Sequence, residues 1–106
     1  MTQSQLADRI EALRCAFLKE LGDNRVELTA LLTRSDQTAP DSDHHKRVLA
    51  LSHSLAGRGG TFGYQTLSDV AAKANELLES DALGLHDAVR MLIVAVSRVL
   101  DQPPHA

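Results

Sequence analysis

An all-α, antiparallel four-helix bundle is the fold class this sequence predicts, and three observations predict it. Apolar residues recur at three- and four-residue steps in four separate stretches, the period of an amphipathic helix. Short polar segments carrying proline or glycine separate the stretches, so consecutive helices fold back on one another. No stretch reads as a strand, because the longest apolar run, Met91 to Val96, itself fits the helix period. The helices fall at about 3–34, 43–58, 67–79 and 85–101, the longest first, and residues 1–106 make one domain around one core. Aromatic residues are 3% of the chain and Trp is absent, so the core is built from Leu, Val, Ile and Ala.

In the first stretch Leu6, Ile10, Leu13, Phe17 and Leu21 keep helical spacing, and the stripe continues in phase to Leu28, Leu31 and Leu32. Thr2 and Gln5 have the spacing of a capping box. Gly22-Asp23-Asn24 interrupts the pattern, which leaves one long helix, kinked or straight, or two helices with Asp23 capping the second. Ser35 to Ser42 is polar, contains Pro40 and reads as a loop, after which Asp41 or Asp43 starts the second helix. Its core stripe is Val48, Leu51, Ser52 and Leu55. Gly57, Gly59, Gly60 and Gly63 then end the helix and allow close packing at the turn. Thr66 and Asp69 have capping-box spacing ahead of Leu67, Val70, Ala71, Ala74, Leu77 and Leu78, the stripe of the third helix, whose polar side carries Lys73, Asn75 and Glu76. Ser80 to Gly84 turns the chain. Leu85, Val89, Leu92, Val96 and Val99 form the last stripe, stopped by Pro103-Pro104.

Composition excludes several classes. A net charge of −3 offers no general basic field for nucleic acid. No apolar run is long enough to span a bilayer or serve as a signal core. Cys15 is the single cysteine, forms no internal disulfide and reads as an unremarkable thiol of a reducing compartment. His44, His45, His86 and His105 read as solvated surface residues, and no metal site is expected because no Cys or well-spaced carboxylate completes a ligand set with His44, His45 and His53. The glycine run follows a helix and lacks the Gly-Lys-Ser/Thr of a phosphate-binding loop.

One stretch carries chemistry: Leu51-Ser-His-Ser-Leu-Ala-Gly-Arg-Gly-Gly-Thr-Phe-Gly-Tyr64. Leu51 and Leu55 turn to another side of the helix from His53. The helical neighbours of His53 are Lys46, Leu49, Ala50, Ala56, Gly57 and Gly60, four of them with one side-chain carbon or none. An imidazole on such a flat, wet patch can be approached by another protein's backbone and chemically modified. His53-Ser-Leu-Ala-Gly57-Arg-Gly-Gly60-Thr-Phe-Gly63 resembles the signature of the histidine-containing phosphotransfer (HPt) domains of bacterial two-component phosphorelays, and the likeness extends from about Val48 to Leu78.

That resemblance implies a phosphorelay carrier that is not itself an enzyme. His53 would be the phospho-acceptor, carrying a phosphoryl group between aspartates of response-regulator receiver domains. Asn75 would stand near a polar position that faces the histidine from the next helix. Many family members carry Lys or Arg three residues after the histidine, where this chain has Ala56; Lys46 on the His53 face and Lys73 from the next helix are the cations that would replace it. Gly57 clears space beside His53, and Leu49, Ala50, Ala56 and Gly60 form the docking surface, which Phe62 and Tyr64 either join or leave to plug the bundle end. The partners implied are receiver domains and a hybrid or sensor histidine kinase, with no nucleic acid and no membrane. No cofactor is expected on this chain, and Mg²⁺ is expected in the receiver. A cytoplasmic monomer is expected. The alternatives are a helical interaction module that is never phosphorylated, and an HPt fragment of a larger sensor kinase; the Met1 start and the short polar tail favour a free-standing protein.

Overall fold

A computed structural model of the chain describes residues 2–37, 42–80 and 84–102. Its four helices are α1 (Gln3–Gln37), α2 (Ser42–Thr61), α3 (Gln65–Ser80) and α4 (Leu85–Asp101), and there is no strand among the described residues. The fold is therefore the helical bundle the apolar spacing predicts. α1 packs chiefly on α4, α4 on α3 and α3 on α2, while direct packing between α1 and α2 is sparse. The core is aliphatic apart from Phe17, and it runs through Leu21, Leu28, Leu55, Leu67, Leu78 and Leu92 with the small residues Ala71, Ala74 and Ala88 between them. None of the described helices is long and apolar enough to cross a membrane.

α1 is one helix of 35 residues, and Gly22-Asp23-Asn24 does not break it. Backbone hydrogen bonding continues through the glycine, and the helical period on either side stays in register. At its start the Gln5 N–H donates to Thr2 Oγ1 at 3.2 Å and the Thr2 N–H donates to Gln5 Oε1 at 3.0 Å, the reciprocal pair of a capping box. The first half of its apolar stripe is not core. Leu6, Ile10 and Leu13 are 50%, 46% and 59% exposed, whereas Phe17, Leu21 and Leu28 are fully buried. The other helices are 16 to 20 residues long, so the bundle ends near Phe17 and α1 runs on beyond it. The long dimension of the molecule is 52 Å, about what 35 helical residues span.

Phe17 closes that end of the bundle. Its ring stacks on Phe62 at 5.0 Å and on Tyr64 at 6.1 Å, and the Arg58 guanidinium lies 4.9 Å over it. The two aromatics of the α2–α3 turn therefore serve as a plug.

The glycine run behaves differently from its sequence reading. α2 continues through Gly57, Gly59 and Gly60 to Thr61, and the residue that ends it is Gly63, at φ 84°. The Gly63 N–H donates to the Gly60 carbonyl at 3.2 Å and the Tyr64 N–H to the Gly59 carbonyl at 2.7 Å, the paired bonds of a Schellman motif. The turn passes straight into α3, whose first bond runs from the Ser68 N–H to the Tyr64 carbonyl. Thr66 is consequently inside the helix and does not cap it; Asp69 instead accepts from Gln65 Nε2 at 2.8 Å. Gly59 is needed for a separate reason. A Cβ there would lie 3.2 Å from the Ser68 backbone nitrogen and 3.4 Å from Leu67 Cγ, so its absence lets α2 and α3 come together.

His45 is not a solvated surface residue. It is half-buried, and its Nε2 donates to the Leu78 carbonyl at 2.9 Å, joining the first turn of α2 to the last turn of α3. Carbonyls in the last turn of a helix lack a partner within the helix, and the imidazole serves this one. His44 and His86 are also half-buried. His105, Pro40, Asp41 and Pro103-Pro104 lie outside the described residues. α4 follows Gly84, whose Cβ would stand 2.8 Å from Leu77 Cγ, and it buries Leu85, Val89, Leu92 and Val96, while Val99 is half-buried.

Candidate functional site

α2 divides its residues sharply. Val48, Leu51, Ser52, Leu55 and Gly59 are buried; Lys46, Ala50, His53, Gly57 and Gly60 are exposed along the opposite stripe. Leu49 and Ala56 flank that stripe, half-buried. His53 stands at its midpoint with neighbours of one side-chain carbon or none one turn away on either side, at Ala50 and Gly57. Among the described residues its imidazole has no hydrogen-bond or ion-pair partner, and a Cβ built at Gly57 meets nothing within 4 Å. A histidine so placed keeps both nitrogens available to solvent and to an incoming molecule.

Beside it lies a shallow, mostly apolar hollow of about 430 Å³, lined by Lys46, Leu49, Ala50, His53, Asn75 and Glu79. Two helices build it: α2 gives four of these residues and α3 gives Asn75 and Glu79, one turn apart. Asn75 is placed there by hydrogen bonds. Its Nδ2 donates to Ser52 Oγ at 3.0 Å and to the Leu49 carbonyl at 3.4 Å, and Ser52 Oγ donates to the same carbonyl at 2.8 Å. Ser52 is fully buried, and this arrangement satisfies both its donor and its acceptor capacity. These bonds hold the Asn75 carboxamide against α2, at the wall of the hollow. Further along, Ser68 Oγ donates to the Ala56 carbonyl at 2.6 Å, fixing the same helix pair beyond His53.

On the other side of the His53 stripe, α1 faces α2 across a polar groove of about 360 Å³, lined in part by Asp23, Asn24, Ala50 and Ser54. Ion pairs bridge it. Arg47 makes a bidentate pair with Glu27 at 2.6 and 2.8 Å, and Arg58 pairs with Glu20. The hydrogen bonds from Arg47, helped by its charge, hold the Glu27 carboxyl below its ordinary range, and Glu27 correspondingly raises Arg47. Arg58 is thus turned towards α1 and away from the hollow.

The sequence-predicted residues separate into two groups. Lys46, Leu49, Ala50 and Asn75 share the hollow with His53, and Gly57 and Gly60 extend the exposed stripe beyond it. Ala56 is half-buried, with its carbonyl engaged by Ser68. Lys73 is not brought to the site. It is absent from the residues lining the hollow and lies about 160° around α3 from Asn75, on the side turned away from α2. Glu79 was missed by sequence reasoning, although it is one helical turn beyond Asn75 and that spacing could have found it. Among the described residues no group of three or more His, Cys, Asp or Glu side chains is suited to a metal ion.

The family model of the Hpt domain matches residues 4–102 of the 106-residue chain. No curated protein and no solved structure shows a significant match.

Proposed function

Since this chain belongs to the Hpt domain family, whose members are histidine phosphotransfer modules of two-component phosphorelays, we propose that His53 is its phospho-acceptor and carries a phosphoryl group between the aspartates of receiver domains. The observation that supports the reading most directly is the exposed, unpartnered imidazole at the centre of a stripe of small residues.

The transfer needs little from this chain. An imidazole nitrogen attacks the phosphorus of a receiver's aspartyl phosphate; the N–P bond forms as the P–O bond to the aspartate breaks, and the carboxylate leaves with the electron pair. The ring then loses its remaining extra proton to solvent. In the neutral imidazole one ring nitrogen carries a free lone pair, and that nitrogen is the nucleophile. Positioning and electrostatic stabilisation carry most of a phosphoryl transfer. Mg²⁺ and the acidic pocket belong to the receiver in this reading, and the carrier adds a rigidly presented nucleophile. Rigidity comes from the Asn75–Ser52–Leu49 bonds under His53. Access comes from Ala50, Gly57 and Gly60, with Leu49 and Ala56 giving apolar contact, and Lys46 is the cation that faces the phosphoryl group. One copy suffices, because α2 and α3 of a single chain build the whole hollow. The single cysteine, exposed on α1, suits a reducing, cytoplasmic setting.

The test is incubation with phosphorylated receiver domains, followed by assay for acid-labile, base-stable label. Label on the wild-type protein and none on His53→Gln supports the reading. An unlabelled wild-type protein that still binds receivers would make the chain an interaction module without phosphorylation.

A further inference from the structure

Three contacts fix the register of the antiparallel helices α2 and α3: Ser68 to the Ala56 carbonyl, Asn75 to Ser52 and the Leu49 carbonyl, and His45 to the Leu78 carbonyl. In that register Glu79 stands across from Lys46, on the same face of α3 as Asn75. Both side chains are exposed, both line the hollow beside His53, and neither has a partner among the described residues. They are the two charged side chains on its wall, of opposite sign, and they are not joined in an ion pair within 4.0 Å.

From this arrangement we propose that Glu79 sets how long a phosphoryl group stays on His53, by competing with it for the Lys46 ammonium. The inference rests on His53 as the phospho-acceptor. Before transfer, Glu79 is the one carboxylate among the described residues that line the hollow with Lys46. A phosphoryl group on the imidazole introduces close to two further negative charges. Lys46 is then drawn to the phosphoryl oxygens, while Glu79 both repels them and pulls the ammonium back. With Ala56 three residues beyond His53 and Lys73 on the far side of α3, Lys46 is the one lysine or arginine among the described residues that line the hollow. The bound group is thereby kept labile. Its loss to water breaks the N–P bond as a water oxygen bonds to phosphorus; the electron pair returns to the imidazole nitrogen, inorganic phosphate leaves, and the proton released by the water goes to the ring or to solvent. Relay to a receiver follows the same bond changes with an aspartate oxygen in place of water.

The experiment measures the lifetime of phosphorylated His53, after removal of the phosphorylated receiver, in wild-type protein, Glu79→Gln, Lys46→Gln and the double variant, at low and high salt. Glu79→Gln should lengthen the lifetime about two- to fivefold at low salt, the range of one exposed charge interaction, and by less at high salt. Lys46→Gln should shorten it, and in the Lys46→Gln background the effect of Glu79→Gln should shrink. Melting temperatures of all four proteins should agree, since neither charge has a structural partner. An unlabelled His53 in the wild-type protein would overturn the phosphotransfer reading and this inference with it. Normal labelling with an unchanged lifetime in Glu79→Gln would overturn the inference alone. A full Glu79→Gln effect without Lys46 would also overturn it, because the competition would then have no object.

Discussion

Gly57 and Gly59 are two residues apart on one helix, yet the same substitution should act on them in opposite directions. At both, replacing glycine by alanine removes the backbone-entropy penalty of a helical glycine, a gain of up to about 1 kcal/mol. At Gly57 nothing opposes the gain, since the added Cβ meets no atom within 4 Å. Gly57→Ala should raise the melting temperature by several degrees for a domain of this size. At Gly59 the Cβ arrives 3.2 Å from the Ser68 backbone nitrogen and 3.4 Å from Ser68 Cα, and a backbone does not move aside as a side-chain tip does. Separating α2 from α3 there also stretches the 2.6 Å bond from Ser68 to the Ala56 carbonyl. Overpacking of that kind costs about 1–3 kcal/mol. Because the propensity gain is common to both variants, the difference between them isolates the packing cost, and Gly59→Ala should be the less stable by about that amount. Chemical denaturation of the two proteins with matched slopes measures it. The functional half of the argument uses Gly57→Leu, which should fold at least as well as wild type while transferring phosphoryl groups poorly, because a leucine one turn from His53 stands where the receiver docks. Equal stability of the two alanine variants would refute the close-approach reasoning. Wild-type transfer by Gly57→Leu would refute the docking role of the open stripe.

Three further predictions follow from the same geometry. His53→Gln should keep the circular dichroism and melting temperature of the wild type, because the imidazole has no partner to lose, and it should accept no phosphoryl label. Ala56→Lys should raise the phosphorylated fraction about fivefold at most and Lys46→Ala should lower it by a similar factor, as one exposed charge contact is worth up to about 1 kcal/mol; Lys73→Ala, on the far side of α3, should leave it unchanged, and a loss there equal to that of Lys46→Ala would contradict the helix register. The Arg47–Glu27 pair should support stability above the unfolded carboxyl's titration near pH 4.5, and that support should vanish as pH falls through the depressed value of the folded state. With Glu27 and Arg47 side chains 37% and 52% exposed, the contribution is about 1 kcal/mol or less. Denaturation midpoints of wild type and Glu27→Gln should therefore differ at pH 7 and draw together as pH falls below about 4.5; a gap that does not narrow with acid would assign it to packing.

What sequence could show here was whatever a helical period encodes. The number of helices, the inward turn of Leu51 and Leu55, and the outward turn of His53 all follow from 3.6 residues per turn. Whatever depended on how far a partner helix extends was hidden. Leu6, Ile10 and Leu13 have the same spacing as Phe17 and Leu21, and nothing in that spacing reveals that the bundle stops short of them. Gly57, Gly59 and Gly60 look like a helix terminus, yet the hydrogen bonds continue through them, because only Gly63 adopts the left-handed conformation that ends a helix. Lys73 and Glu79 are equally polar positions of one helix. Which of them meets His53 is decided by the register of α3 on α2, set by side-chain bonds from Ser68, Asn75 and His45 that no local pattern announces.

The projecting half of α1 divides the molecule thermodynamically. About fourteen helical residues precede Phe17 with almost no tertiary cover, and a free peptide of that length is only marginally helical in water. Here the bundle supplies the nucleus, so each successive turn outward costs only propagation and is held by its own backbone bonds and the Thr2–Gln5 cap. Opening of such a segment is local: amide protection should decline stepwise from Phe17 towards the N-terminus, without involving the core. Heat then acts on two different objects, a cooperative bundle and an extension that shortens gradually. A single two-state transition describes the first of these and does not describe the whole chain.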